Sequence, residues 1–239
     1  MTIQTRTIEY THGGITFEGL LVWDDAFDAP RPAVAVAHAW AGRSSFEDDK
    51  ARALAGLGYV GFAMDVYGKG RRGATREENA ALMTPLMQDR PMLQARLGAA
   101  LQALAAQPEV DRQRLAAIGF CFGGLSVLDM ARCGLPLRGV VSFHGLFLPP
   151  GNTAGRRIAA KVLALHGWDD PMVKPEAVLA FAQEMTEAGA DWQLHAYGGT
   201  MHAFTNPEAN DPSFGTVYNA CADARSWSAM RGFLGEVLS

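Results

Sequence analysis

The sequence predicts an α/β fold, a mostly parallel central sheet with helices on both faces, and three observations carry that expectation. Apolar strand-like runs alternate with helically patterned stretches along the chain, the order that a parallel sheet with crossover helices produces. Several of those runs, such as Ala33 to Ala37, are apolar without interruption, as strands covered on both faces are. The chain is also long enough: 239 residues, 49% of them hydrophobic, can bury one large core. One domain over residues 1–239 is expected.

Each element has its own signal. Ile8 to Thr11 and Ile15 to Val22 flank His12-Gly13-Gly14 and read as an entry hairpin. The buried strand over 33–38 leads into the glycine-bearing loop Trp40-Ala41-Gly42-Arg43 and a helix over 46–57. That helix stops at Leu57-Gly58-Tyr59, because glycine accepts the left-handed cap conformation. A strand over 59–66 and a glycine- and arginine-rich loop over 69–76 come next. Helices over 77–87 and 91–106 then carry leucine and alanine at helical spacing. A strand over 114–119 turns abruptly into a helix over 123–132. Further strands are expected at 139–143, 161–166 and 193–197, with helices at 175–188 and 217–238. No repeat, low-complexity tract or long linker interrupts the series.

Composition narrows the function. A net charge of −4 offers no basic surface, so nucleic acid and anionic membranes are poor partners. The three cysteines (Cys121, Cys133, Cys221) are widely spaced and odd in number. They suit free thiols in a reducing compartment better than a disulfide framework or a zinc site. The polar start, Met1-Thr2-Ile3-Gln4-Thr5-Arg6, lacks the apolar core of a signal peptide. No apolar stretch approaches the roughly 20 residues of a membrane span. A cytoplasmic protein is expected; its oligomeric state stays open, with a monomer favoured.

The chemistry is announced by Gly119-Phe120-Cys121-Phe122-Gly123-Gly124. Glycines two residues before and after Cys121 permit the tight turn of a nucleophile elbow, which lifts a reactive side chain clear of the sheet. The helix that follows favours a thiolate, and the Phe122 N–H at its start can face a developing oxyanion. A base and an orienting acid follow in the required order. The strand Val162 to His166 runs into Gly167-Trp168-Asp169-Asp170-Pro171, and Asp170 is preferred to Asp169. Beyond the next strand, Gly198-Gly199-Thr200-Met201-His202-Ala203-Phe204 can swing an imidazole over the sheet. His202 would ionise the Cys121 thiol and Asp170 would fix the imidazole tautomer. Cys133 and Cys221 read as packing cysteines, and His38, His144 and His166 as structural histidines at strand ends.

With these motifs goes Asp65-Val66-Tyr67-Gly68, and together they resemble the dienelactone hydrolases, within the α/β-hydrolase superfamily, from about Gly14 to Leu238. The resemblance implies an α/β-hydrolase fold and hydrolysis of carboxylic esters or lactones through Cys121, Asp170 and His202. It implies an oxyanion hole from the Trp40 and Phe122 N–H groups, and neither metal nor organic cofactor. Two positions depart from the family. A glutamate that helps ionise the cysteine is replaced by Ala39, and a carboxylate-binding arginine four residues after the histidine is replaced by Asn206. The aromatic residues Tyr67, Trp168 and Phe204 are then expected to contact a neutral, fairly apolar ester, an aryl ester or lactone. Alternatives are a promiscuous arylesterase or phosphotriesterase on the same triad, or a non-catalytic binding protein. A nucleotide site is disfavoured, since the glycines lack dinucleotide or P-loop spacing.

Overall fold

β1 (Ile3–His12) and β2 (Ile15–Asp24) form an antiparallel hairpin whose turn glycines, Gly13 and Gly14, both adopt positive φ. The computed structural model describes residues 2–26 and 29–239. Met1, Phe27 and Asp28 lie outside the described residues, so the polar start of the chain is seen from Thr2. The hairpin is longer than expected because alternating exposure continues back to Ile3 through polar residues that an apolar-run reading passes over.

The described chain divides into two compact units, Met1–Ile118 and Gly119–Ser239. In the first, the strand order is β1-β2-β4-β3-β5, with β3 (Arg31–Ala37), β4 (Val60–Met64) and β5 (Val110–Phe120), whose last two residues belong to the second unit. β2 pairs antiparallel with β4, and β4 parallel with β3. Helix α1 (Ser45–Gly56) packs on β2, β3 and β4. Helix α3 (Arg90–Ala105) packs on β1 and β3, and α2 (Arg76–Gln88) lies against α3. β4 stops at Met64 rather than at Val66, because the Asp65 carboxylate accepts the Tyr67 and Gly68 N–H groups and bends the chain into a turn. β5 begins at Val110, four residues earlier than expected; its first residues, Asp111-Arg112-Gln113, are polar, and Arg112 and Gln113 are exposed, so no apolar run announces them.

The second unit holds the parallel set β6 (Gly139–Phe143), β7 (Lys161–Gly167) and β8 (Trp192–Tyr197), in that order. Helix α4 (Phe122–Arg132) packs on β6, and α6 (Ala220–Val237) on β6 and β7; α5 (Pro175–Glu187) connects β7 to β8. A short hairpin absent from the expectation, β9 (Asn210–Asp211) with β10 (Thr216–Val217), precedes α6. Because Val217 pairs in that hairpin, α6 starts only at Ala220, where Asn219 Oδ1 accepts the Cys221 and Ala222 N–H groups. Parallel strands end together, so the segments after β6, β7 and β8 leave from one edge. Those segments carry His144, Asp170 and His202.

The connection after β6 is pinned from beneath. Arg132, at the end of α4, is fully buried and donates to the carbonyls of Phe147 (3.0 Å) and Leu148 (3.2 Å) while pairing bidentately with Glu184 of α5. A planar guanidinium can satisfy a carboxylate and two carbonyls at once, which a lysine cannot.

Candidate active site

Cys121 sits between β5 and α4 with φ 56° and ψ −115°, a conformation that non-glycine residues adopt only where their surroundings impose it. What imposes it is a close crossing of backbone. A Cβ placed on Gly119 would come within 2.1 Å of the Gly123 carbonyl oxygen, so strand and helix approach too tightly for any side chain there. The Cys121 N–H is shared between the Phe143 carbonyl (3.0 Å) and Nδ1 of His144 (3.1 Å). Phe120 stacks on Phe143 at 4.7 Å, fixing the strand end below the turn. The thiol is partly exposed, at the N-terminus of α4 and one residue before Phe122.

His202 and Asp170 are both buried, and His202 Nδ1 donates to Asp170 Oδ2 at 2.7 Å. Asp169 points instead to solvent. Asp170 Oδ1 also accepts the Met172 N–H at 2.8 Å, so both carboxylate oxygens are engaged and the ring is held by a fixed acid. His202 Nε2 makes no well-aligned hydrogen bond to a described residue. Burial opposes charge on the ring. The nearby Cys121 sulfur outweighs that cost when ionised, with help from Asp170, and the imidazole pKa is pushed up to about 10. The arrangement therefore favours the charged, imidazolium form of His202.

The unexpected hairpin sets the position of His202. Its N–H donates to Gly215 (2.9 Å) and its carbonyl accepts from Val217 (3.1 Å), forming an isolated β-bridge with Thr216. Gly215 is itself at φ 82°, and a Cβ there would lie 2.1 Å from the Pro171 ring. The hairpin thus rests against the residue after Asp170 while holding the backbone of His202.

The other expected site residues fall in different settings. Trp168 is 46% exposed, its ring edge-on to His166. Phe204 is not open to a substrate: it is 0% exposed, packed edge-on against His144 and Tyr197 beneath the histidine loop. Its apolar ring serves as floor, which corrects the expected substrate contact. Tyr67 lies in the first unit and is 1% exposed; its hydroxyl donates to the Trp40 carbonyl at 2.9 Å, so its expected substrate contact is likewise replaced by bracing of the Trp40 loop. Phe122 is the first residue of α4. Asn206 closes a turn, its Oδ1 accepting the Glu208 N–H.

Three residues carry more of the local order than their sequence context suggests. His144 touches the Cys121 backbone directly. Thr205, buried three residues after His202, pairs with His144 Nε2 at 2.8 Å. In the first unit, Glu47 is a buried carboxylate that accepts the N–H groups of Ala39 (3.1 Å) and Ser44 (2.8 Å). A glutamate thus serves this loop from the helix behind it, although none stands at position 39. Ser44-x-x-Glu47 is a capping box, and that spacing was the available signal. His38 is structural, with Nδ1 donating to Ala39 and Nε2 accepting from Val66.

A family model described as the dienelactone hydrolase family matches residues 17–238. The chain is 42% identical to a solved structure named m3DLH, with a TM-score of 0.95 and 100% of both chains covered. It is 38% identical, again at 0.95 and over 100% of both chains, to a dienelactone hydrolase-like promiscuous phosphotriesterase, P91, from metagenomic libraries. A probable 2-oxo-3-(5-oxofuran-2-ylidene)propanoate lactonase from Bradyrhizobium sp is 26% identical over 207 residues, covering 82% of this chain and 80% of that protein. These likenesses give the α/β-hydrolase fold, and no described helix is long and apolar enough to cross a membrane.

Proposed function

Because the chain belongs to the dienelactone hydrolase family, whose members are hydrolases of esters and lactones, we propose that Cys121, His202 and Asp170 hydrolyse neutral esters or lactones through a thioester. The observation that carries the proposal is the buried His202–Asp170 pair, at 2.7 Å, with the imidazole charge stabilised by Cys121 on a left-handed elbow.

The Cys121 thiolate attacks the carbonyl carbon; a carbon–sulfur bond forms and the carbonyl π electrons move to oxygen. The Phe122 N–H steadies that oxyanion. Collapse expels the alkoxide, which takes the proton from His202 Nε2. The now neutral ring removes a proton from water as it attacks the thioester, and the thiolate is restored with the acid as product. Asp170 holds Nδ1–H throughout.

Asn206 supports a neutral substrate, since its amide oxygen accepts a turn N–H and its side chain carries no charge to anchor a carboxylate. Trp168 is the exposed aromatic of the three expected contacts and the proposed wall for an apolar acyl or aryl group. Likeness to the promiscuous phosphotriesterase favours a second reading, in which the same thiolate attacks neutral phosphorus esters.

The test pairs Cys121→Ala with a substrate panel of a p-nitrophenyl ester, an anionic dienelactone and a phosphotriester. Wild type is expected to give a p-nitrophenolate burst, to prefer the neutral ester over the dienelactone, and to lose turnover in Cys121→Ala. Unchanged turnover in that variant removes the nucleophile assignment; preference for the dienelactone removes the neutral-ester assignment.

A further inference from the structure

At the end of β6, His144 has its backbone at φ 39°, and its ring touches both the Cys121 backbone and the ring of His202. Its Nδ1 receives the Cys121 N–H at 3.1 Å, so that nitrogen carries no proton. The neutral ring must then bear its hydrogen on Nε2, which donates to Thr205 Oγ1 at 2.8 Å. Thr205 follows His202 by three residues in the same loop. Its ring also meets that of His202 edge-on at 5.1 Å. One side chain thus bridges the elbow that holds the sulfur and the loop that holds the base, by a route independent of Asp170.

We propose that His144 is a positioning residue, held in its Nε2–H tautomer, that sets the spacing of Cys121 and His202 through the relay Cys121 N–H, imidazole, Thr205 hydroxyl. The inference rests on the triad reading above. The tautomer follows from geometry alone: a proton on Nδ1 would confront the Cys121 N–H at hydrogen-bond distance. The left-handed backbone at 144 directs the ring back over the elbow, and histidine and asparagine are among the residues that tolerate such φ values. The relay also takes the nucleophile's own N–H out of the oxyanion hole, which leaves Phe122 as the elbow's donor. A ring fixed as a neutral acceptor beside His202 does not compete for the thiol proton.

The experiment combines tautomer and kinetics. In histidine-labelled wild type, ¹⁵N shifts at pH 7 are expected to show His144 protonated on Nε2 and bare on Nδ1. His144→Phe removes both bonds, Thr205→Val only the second, and His144→Asn keeps an acceptor for the Cys121 N–H. With a p-nitrophenyl ester, His144→Phe is expected to lower kcat by about 10²-fold with KM nearly unchanged, the cost of a nucleophile misplaced by about 1 Å. The acid limb of Cys121 alkylation by iodoacetamide moves to higher pH in that variant and in Thr205→Val, and His144→Asn restores most of it. A structural role alone would lower stability without moving that limb. Should His144→Phe fail to fold, Thr205→Val and the wild-type tautomer decide. The inference is overturned by a His144 ring protonated on Nδ1, or by a limb and kcat unmoved in the foldable variants while Cys121→Ala is inactive. Activity surviving in Cys121→Ala would instead remove the triad reading beneath it.

Discussion

At His202 two effects oppose each other, burial against charge, and the sign of the outcome has a consequence for stability. The ring's pKa rises from 6.5 to about 10 on folding, because the charge of Cys121 and the hydrogen bond to Asp170 outweigh burial. A group whose folded pKa is raised contributes stability in full below its unfolded value and loses it as pH climbs to the folded one. The imidazolium's share is therefore constant below about pH 6.5 and declines between 6.5 and 10. Urea midpoints of wild type and His202→Gln, followed across that window, are expected to converge as pH rises; a difference that grows with pH would contradict an imidazolium held by the folded site. Such residues were legible in the sequence because each has chain-bending neighbours: Cys121 lies between Gly119 and Gly123, Asp170 between Gly167 and Pro171, and His202 follows Gly198 and Gly199. His144 and Thr205 carry no such marker. A histidine at a strand end has the same appearance whether it braces a core or receives the N–H of a nucleophile. Aromatic residues hide their direction in the same way, and Phe204 turned out to be floor where Trp168 stays open.

Among the elements, those with long uninterrupted patterns were legible within a few residues, as β3, β6 and α5 were. The two-residue strands β9 and β10 were not, since two residues cannot express a period. Their importance lies in their contacts: they hold the His202 backbone on both sides, and Gly215 fits against Pro171 only because it lacks a Cβ. Gly215→Ala combines a 2.1 Å clash with a side chain at φ 82°. Left-handed backbone for a non-glycine residue costs about 1–3 kcal/mol, and the clash adds displacement of the Asp170 turn. The expected outcome is a urea midpoint lowered accordingly and a kcat loss larger than any change in KM. A variant with wild-type kcat would show that the hairpin plays no part in setting the base. Arg132 performs the matching service for the segment after His144, holding two consecutive carbonyls from a buried position that no periodicity announces.

Across the described molecule, left-handed backbone outside glycine occurs at Cys121, His144 and Ala203 alone. The first is the proposed nucleophile, the second accepts its N–H, and the third follows the proposed base. Unfavourable conformation is thus confined to one edge of the second unit, while the strands beneath it, from Val140 to Phe143 and Val162 to Leu165, are buried throughout. Local opening draws on the weakest region first and needs less free energy than unfolding the whole. Inactivation and denaturation are consequently expected to part company: with rising urea, esterase turnover fades before the tryptophan fluorescence of the folded chain changes. Coincident curves would mean the edge and the strands melt as one. The left-handed trio then acts as a fuse, in which reactivity is the first property to fail and, on dilution of the denaturant, one that an intact fold can restore.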